Sequence, residues 1–131
     1  MLTRNAPPPA PHPLRILLVE DEMMVAMLVE DILVDIGHTV VGPLAHLDKA
    51  MAAARDEVLD LAILDVNING GEIYPVAEVL AARGIPFAFA TGYGVLGLRE
   101  DWQGRPTLQK PFRREDLCRV VHELVPTDPP G

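Results

Sequence analysis

Four short strand-like runs, each ended by a polar or charged group, constrain this chain more than any other feature. Residues 14–19 lead into Glu20-Asp21-Glu22, residues 61–64 into Asp65, residues 87–90 into Thr91, and residues 107–109 into Lys110-Pro111. A short apolar run bounded by polar residues is the pattern of a strand buried on both faces, and such strands belong to parallel sheets. Strands are expected over 14–19, 39–42, 61–65, 86–90 and 107–109. Helical spacing fills the intervals. Residues 22–36 put Val25, Leu28, Val29, Ile32 and Ile36 on one stripe, with Gly37 as the stop. Residues 47–58 align Leu47, Ala50, Met51, Ala54 and Val58, and residues 113–124 turn Leu117, Val120, Val121 and Leu124 inward. A Gly-rich turn at Asn69-Gly70-Gly71 precedes a helix over 72–82, where Pro75 fits only in the first turn and Gly84 follows the end.

The fourth interval is the weakest. Gly92, Gly94 and Gly97 interrupt it, each costing about 1 kcal/mol against alanine in a helix, so a short or partly unwound helix is expected there. Alternating strands and helices with right-handed crossovers imply an α/β doubly wound, five-stranded parallel sheet with helices on both faces, in strand order 2-1-3-4-5. Sheets of this kind bind ligands beyond the carboxyl ends of their strands, which is where the polar groups would gather.

Composition narrows the function classes. With 131 residues and 49% hydrophobic content the chain can bury one core but not two. A net charge of −8 repels a phosphate backbone, and no basic stripe offsets it, so no nucleic-acid partner is expected. No stretch has the length and apolarity of a membrane span or a signal peptide, so a soluble, cytoplasmic protein without membrane contact is expected. Cys118 stands alone, excluding an internal disulfide and a cysteine zinc cluster, and is read as helix packing. Prolines mark residues 1–13 and 126–131 as extended tails, leaving 14–125 as the folded body with no room for an output module.

Glu20, Asp21 and Asp65 would lie at the ends of adjacent strands. Carboxylates so placed repel one another unless a cation joins them, and an all-oxygen set suits Mg2+. Asp65 ends its strand alone and is the candidate nucleophile, able to form an acyl phosphate. Glu20 and Asp21 form a rim suited to the metal, Lys110 would bring a point charge to phosphoryl oxygens, and Thr91 a hydroxyl. The Lys110–Pro111 bond accepts the cis form at modest cost, which would aim Lys110 back across the sheet edge.

These residues resemble the receiver domain of two-component response regulators. Val-Glu-Asp-Glu at 19–22, Leu-Asp-Val-Asn at 64–67, Ala-Thr-Gly at 90–92 and Lys-Pro-Phe at 110–112 look like its motif blocks, in order, and the resemblance covers 14–125. It implies a flavodoxin-like fold in which Asp65 accepts a phosphoryl group from a phosphohistidine of a histidine kinase or phosphotransfer protein. Glu20, Asp21, Asp65 and the main-chain carbonyl of Asn67 would hold Mg2+, while Thr91 and Lys110 would bind the phosphoryl oxygens. Such a domain is no enzyme beyond its own phosphorylation and dephosphorylation; it acts by binding an unidentified downstream protein or by draining phosphoryl groups from a kinase.

The run Phe87-Ala88-Phe89-Ala90-Thr91-Gly92-Tyr93 resembles a subgroup of receivers, often single-domain, named for Phe-Ala-Thr-Gly-aromatic. Two positions depart from the common pattern: the acidic pair is Glu-Asp rather than Asp-Asp, and Thr107 stands where an aromatic switch residue is usual. Tyr93 and the glycine-rich interval are the candidate replacement for that switch. Two other readings compete. One is a receiver fold used for phosphorylation-independent binding. The other is a haloacid-dehalogenase-like phosphatase, disfavoured because that family needs an acid where Asn67 stands and a cap domain that is missing here. The histidines 12, 38, 46 and 122 show no ligand spacing, Trp102 reads as a packing anchor, and Met23, Met24 and Met27 as core filler or packing at the loop edge.

Overall fold

Alternation along each strand decides which residues share a core. In the computed structural model, which describes residues 13–125, Ile16 and Leu18 of β1 (Arg15–Val19) face one side of the sheet, and Leu17 and Val19 face the other. The same split runs through β3 (Leu61–Asp65), with Leu61 and Ile63 against Ala62 and Leu64. In β6 (Phe87–Thr91) it separates small from large, Ala88 and Ala90 from Phe87 and Phe89. Strands buried on both faces must be covered twice. Helices α1 (Met23–Asp35) and α4 (Arg114–Leu124) cover the Ile16 side, and α2 (Leu47–Asp56) and α3 (Tyr74–Ala82) the Leu17 side.

With β2 (Thr39–Leu44) and β7 (Thr107–Gln109), the sheet has five parallel strands in the order β2-β1-β3-β6-β7. This is the doubly wound topology expected from the sequence, 2-1-3-4-5 when its main strands alone are counted. A hairpin that the sequence reading lacked, β4 (Asn67–Ile68) with β5 (Gly71–Glu72), lies between β3 and α3. Gly70 and Gly71 take positive φ at its turn, so the residues expected to start the helix at 72 form a strand instead and α3 begins at Tyr74. Pro75 occupies the first turn as expected. The proline-rich segments expected over 1–13 and 126–131 lie outside the described residues, apart from Pro13.

The fourth helix is replaced by two 3₁₀ turns, Gly94–Gly97 and Glu100–Trp102. A cluster of aromatic rings holds the second turn. Trp102 packs 6.1 Å from Tyr74 and 6.0 Å from both Phe87 and Phe89, while Arg99 and Arg105 lie over Tyr74 and Phe87. The Tyr74 hydroxyl accepts the Arg99 amide at 2.9 Å. Trp102 is therefore the packing anchor expected, and Cys118 packs partly buried on α4.

Three burial expectations are corrected. Met23 and Met24 are 75% and 85% exposed and Met27 is exposed with them, because α1 turns its Ala26, Val29, Ile32 and Leu33 face inward. Leu28, placed on the inner stripe from spacing, is exposed on the same outer face. Val58 is exposed beyond the end of α2, which stops at Asp56.

Candidate functional site

Register brings the polar groups together. Val19 pairs with Leu64, Asp65 with Ala90 and Thr91 with Gln109, so each strand hands its last residue to the next strand's end. The chain beyond is tied in place: the Glu20 amide donates to Leu44 O at 2.9 Å and the Lys110 amide to Thr91 O at 2.8 Å. Glu20, Asp65 and Thr91 are buried although polar, which is the reverse of where such residues ordinarily lie.

Lys110 is the hub. Its side chain is only 15% exposed, and the ammonium lies 2.7 Å from Glu20, 3.3 Å from Asp65 and 3.5 Å from Glu22. The second Glu20 oxygen accepts the Glu22 amide at 3.0 Å. Burial, the Glu20 charge and a hydrogen bond with Glu20 push Asp65 up to about 7, against a smaller opposing pull from Lys110. Burial by itself lowers Lys110, but the hydrogen bond to Glu20 and the charges of Asp65 and Glu20 together hold it above its ordinary value.

Glu20, Asp21 and Asp65 each offer an oxygen within 4.8 Å of the others. Three carboxylates with one ammonium leave excess negative charge, and the Glu20 part of it adds to burial in raising Asp65. An all-oxygen donor set of this kind fits a hard divalent cation, which would relieve that charge. Asn67 opens β4, exposed and paired with Glu72, two residues past Asp65. The Lys110–Pro111 bond is cis, as is Gly42–Pro43.

Thr91 Oγ1 accepts the Tyr93 amide at 3.1 Å, while the Tyr93 ring is 78% exposed. Gly97 folds over this hydroxyl so closely that a Cβ there would lie 2.5 Å from it. Thr107, half-buried on β7, turns its hydroxyl to Arg105 O at 3.0 Å. Glu20, Asp21, Asp65, Thr91 and Lys110 thus gather at the carboxyl edge of the sheet with Asn67 and Tyr93 beside them, whereas Thr107 opens β7 opposite Phe89, two residues short of Thr91. Glu22 is the participant the sequence reading left without a role. It adjoined the acidic pair in the motif, but nothing in spacing distinguishes a solvated rim carboxylate from one that reaches Lys110. His38 is a second omission, structural in kind: its Nδ1 accepts the Leu14 amide at 3.1 Å.

The comparisons agree on a family. The solution structure of SdrG from Sphingomonas melonis Fr1 is 43% identical, with 86% of this chain and 96% of that one covered and a TM-score of 0.77. The receiver domain of the hybrid histidine kinase CckA is 26% identical, covering 86% of this chain and 99% of its own, with a TM-score of 0.71. Among curated proteins, the transcriptional regulatory protein PdtaR of Mycobacterium tuberculosis is 29% identical over 117 residues, 86% of this chain. The chain spans 57% of the length of that relative. No family model matches.

Proposed function

Because this chain belongs to the receiver domains of response regulators, we propose that it is a phosphorylation switch in which Asp65 accepts a phosphoryl group from a phosphohistidine of a histidine kinase or phosphotransfer protein. The observation that carries the reading is Lys110, 3.3 Å from Asp65 within a cluster of carboxylates whose oxygens lie within 4.8 Å of one another. An Asp65 oxygen forms the new O–P bond while the donor N–P bond breaks and its electron pair returns to the imidazole. Asp65 must be ionised to attack, and Lys110 favours that form. Glu20, Asp21, Asp65 and the Asn67 carbonyl would hold Mg2+, which would neutralise the phosphoryl oxygens and the carboxylates around them. Lys110 and the Thr91 hydroxyl would then bind those oxygens.

Tyr93 and the Gly94–Gly97 turn are the responding elements, because the Tyr93 amide already rests on the Thr91 hydroxyl and Thr107 offers no ring to rotate. The change there would control binding of a downstream protein or serve to drain phosphoryl groups, in a soluble cytoplasmic domain spanning 14–125. Among the described residues no helix is long and apolar enough to cross a membrane. A phosphorylation-independent interaction domain is the second reading, favoured by the shorter approach of Lys110 to Glu20 than to Asp65.

Intact-mass spectrometry after incubation with acetyl phosphate and Mg2+ separates the two. Addition of one phosphoryl group, abolished by EDTA and by Asp65→Asn, is the expected result. An unmodified mass under those conditions, with a folded protein, supports the second reading.

A further inference from the structure

Glu22 occupies the N-cap position of α1, where a side chain ordinarily accepts the free amides of the first helical turn. Here the side chain makes no such bond. Its carboxylate lies instead 3.5 Å from the Lys110 ammonium, 88 residues away in the chain. Of the three carboxylates around Lys110 it alone is open, its side chain 66% exposed, and it is absent from the cluster of Glu20, Asp21 and Asp65. The three contacts therefore differ in what else they can do. Glu20 and Asp65 would be shared between Lys110 and a divalent cation, whereas the Glu22 carboxylate faces Lys110 alone.

We propose that Glu22 is a positioning residue that keeps the Lys110 ammonium at the rim when Glu20 and Asp65 turn to a divalent cation, and yields it to the incoming phosphoryl group. The idea rests on the cation reading given above. An ammonium left against a divalent cation would oppose its binding, since like charges at such distances repel strongly in a partly buried site. With Glu22 as a remaining counter-ion, Lys110 moves outward without losing its charge partner. Reach is essential to this role. Glutamate spans from the N-cap to Lys110, whereas aspartate would have the same charge but be one methylene shorter, and would cap the helix instead.

The test is a cycle of Mg2+ affinities, measured by calorimetry, for the native chain, Glu22→Gln, Lys110→Gln and the double variant, with Glu22→Asp beside them. Glu22→Gln and Glu22→Asp are each expected to weaken Mg2+ binding about fivefold when Lys110 is present, and Glu22→Gln by less than about twofold once Lys110 is Gln. The lysines of this chain are Lys49 and Lys110, so a lysine-labelled NMR spectrum reads the ammonium directly. On adding Mg2+, the Lys110 signal should keep an ion-paired shift in the native protein and move to the free-lysine position in both Glu22 variants. Equal weakening by Glu22→Gln with and without Lys110, or a Glu22→Asp protein indistinguishable from native, would mean that only local charge matters and would overturn the proposal. A native chain that binds no Mg2+ overturns the cation reading and this proposal together, so the two failures are told apart.

Discussion

Replacing Asp65 by asparagine should stabilise the cation-free fold, and by an amount that depends on pH. Asp65 titrates near 7 in the folded chain, raised from 3.8 first by burial and then by Glu20. Between those values the folded protein holds a proton that the unfolded chain has lost, so stability falls as pH rises through the window. At 1.36 kcal/mol per pKa unit the full difference is about 4 kcal/mol, and water at the site mouth brings the expected cost to about 2–3 kcal/mol. Asparagine keeps the shape and can donate to Glu20, while Lys110 keeps Glu20 and Glu22 as partners. In urea titrations with EDTA, Asp65→Asn should exceed the native protein by about 2–3 kcal/mol at pH 8 and by about 1 kcal/mol at pH 5. Mg2+ should recover the difference at pH 8 in the native chain only. Equal stabilisation at both pH values would show that Asp65 ionises at its ordinary value and that the charge argument is wrong.

Gly97→Ala places a methyl group 2.5 Å from Thr91 Oγ1 and 3.0 Å from Tyr93 Cβ. We expect a loss of about 1–3 kcal/mol with amide shifts at Tyr93, Gly94 and Leu98, and a native-like melting curve and spectrum would refute this close approach. Tyr74→Phe removes the acceptor of the Arg99 amide but keeps the ring against Trp102. It should cost about 1 kcal/mol in urea unfolding with little change in Trp102 emission, and a shifted emission maximum would mean that the hydroxyl, not the ring, anchors this turn.

The sheet was legible because its strands are buried on both faces, which gives unbroken apolar runs that no loop would carry. Helix α4 was equally plain: Leu117, Val120, Val121 and Leu124 repeat at helical spacing and are all buried. Misreadings arose where local pattern and tertiary demand part. In α1 nearly every position is apolar, so spacing alone could not decide which stripe faces in, and Leu28 went to the wrong side. The β4–β5 hairpin is two residues per strand, too short for any period, and its glycines read only as a turn. The glycines at 92, 94 and 97 did announce that a regular helix fails there, although not that Trp102 and Tyr74 would hold the chain in its place.

The site itself was legible as a list of residues and not as a set of contacts, for a reason rooted in the register. Topology alone fixes that β1, β3, β6 and β7 end at one edge, so Glu20, Asp65, Thr91 and Lys110 had to be neighbours once the strands were found. Which carboxylate the ammonium takes depends on side-chain length, and there one methylene changes the outcome. Glu20 reaches Lys110 at 2.7 Å while Asp65 stays at 3.3 Å, and Glu22 leaves its helix uncapped to join them. Glu20, Glu22 and Asp65 then share the Lys110 ammonium with Asp21 beside them, an imbalance that a chain selected for stability alone would not keep in a partly buried place. Burial raises Asp65 first and the Glu20 charge adds to it, and positive charge brought to the edge would offset the second. A polar edge that carries this much negative charge around one ammonium is where added positive charge would act most strongly on the fold.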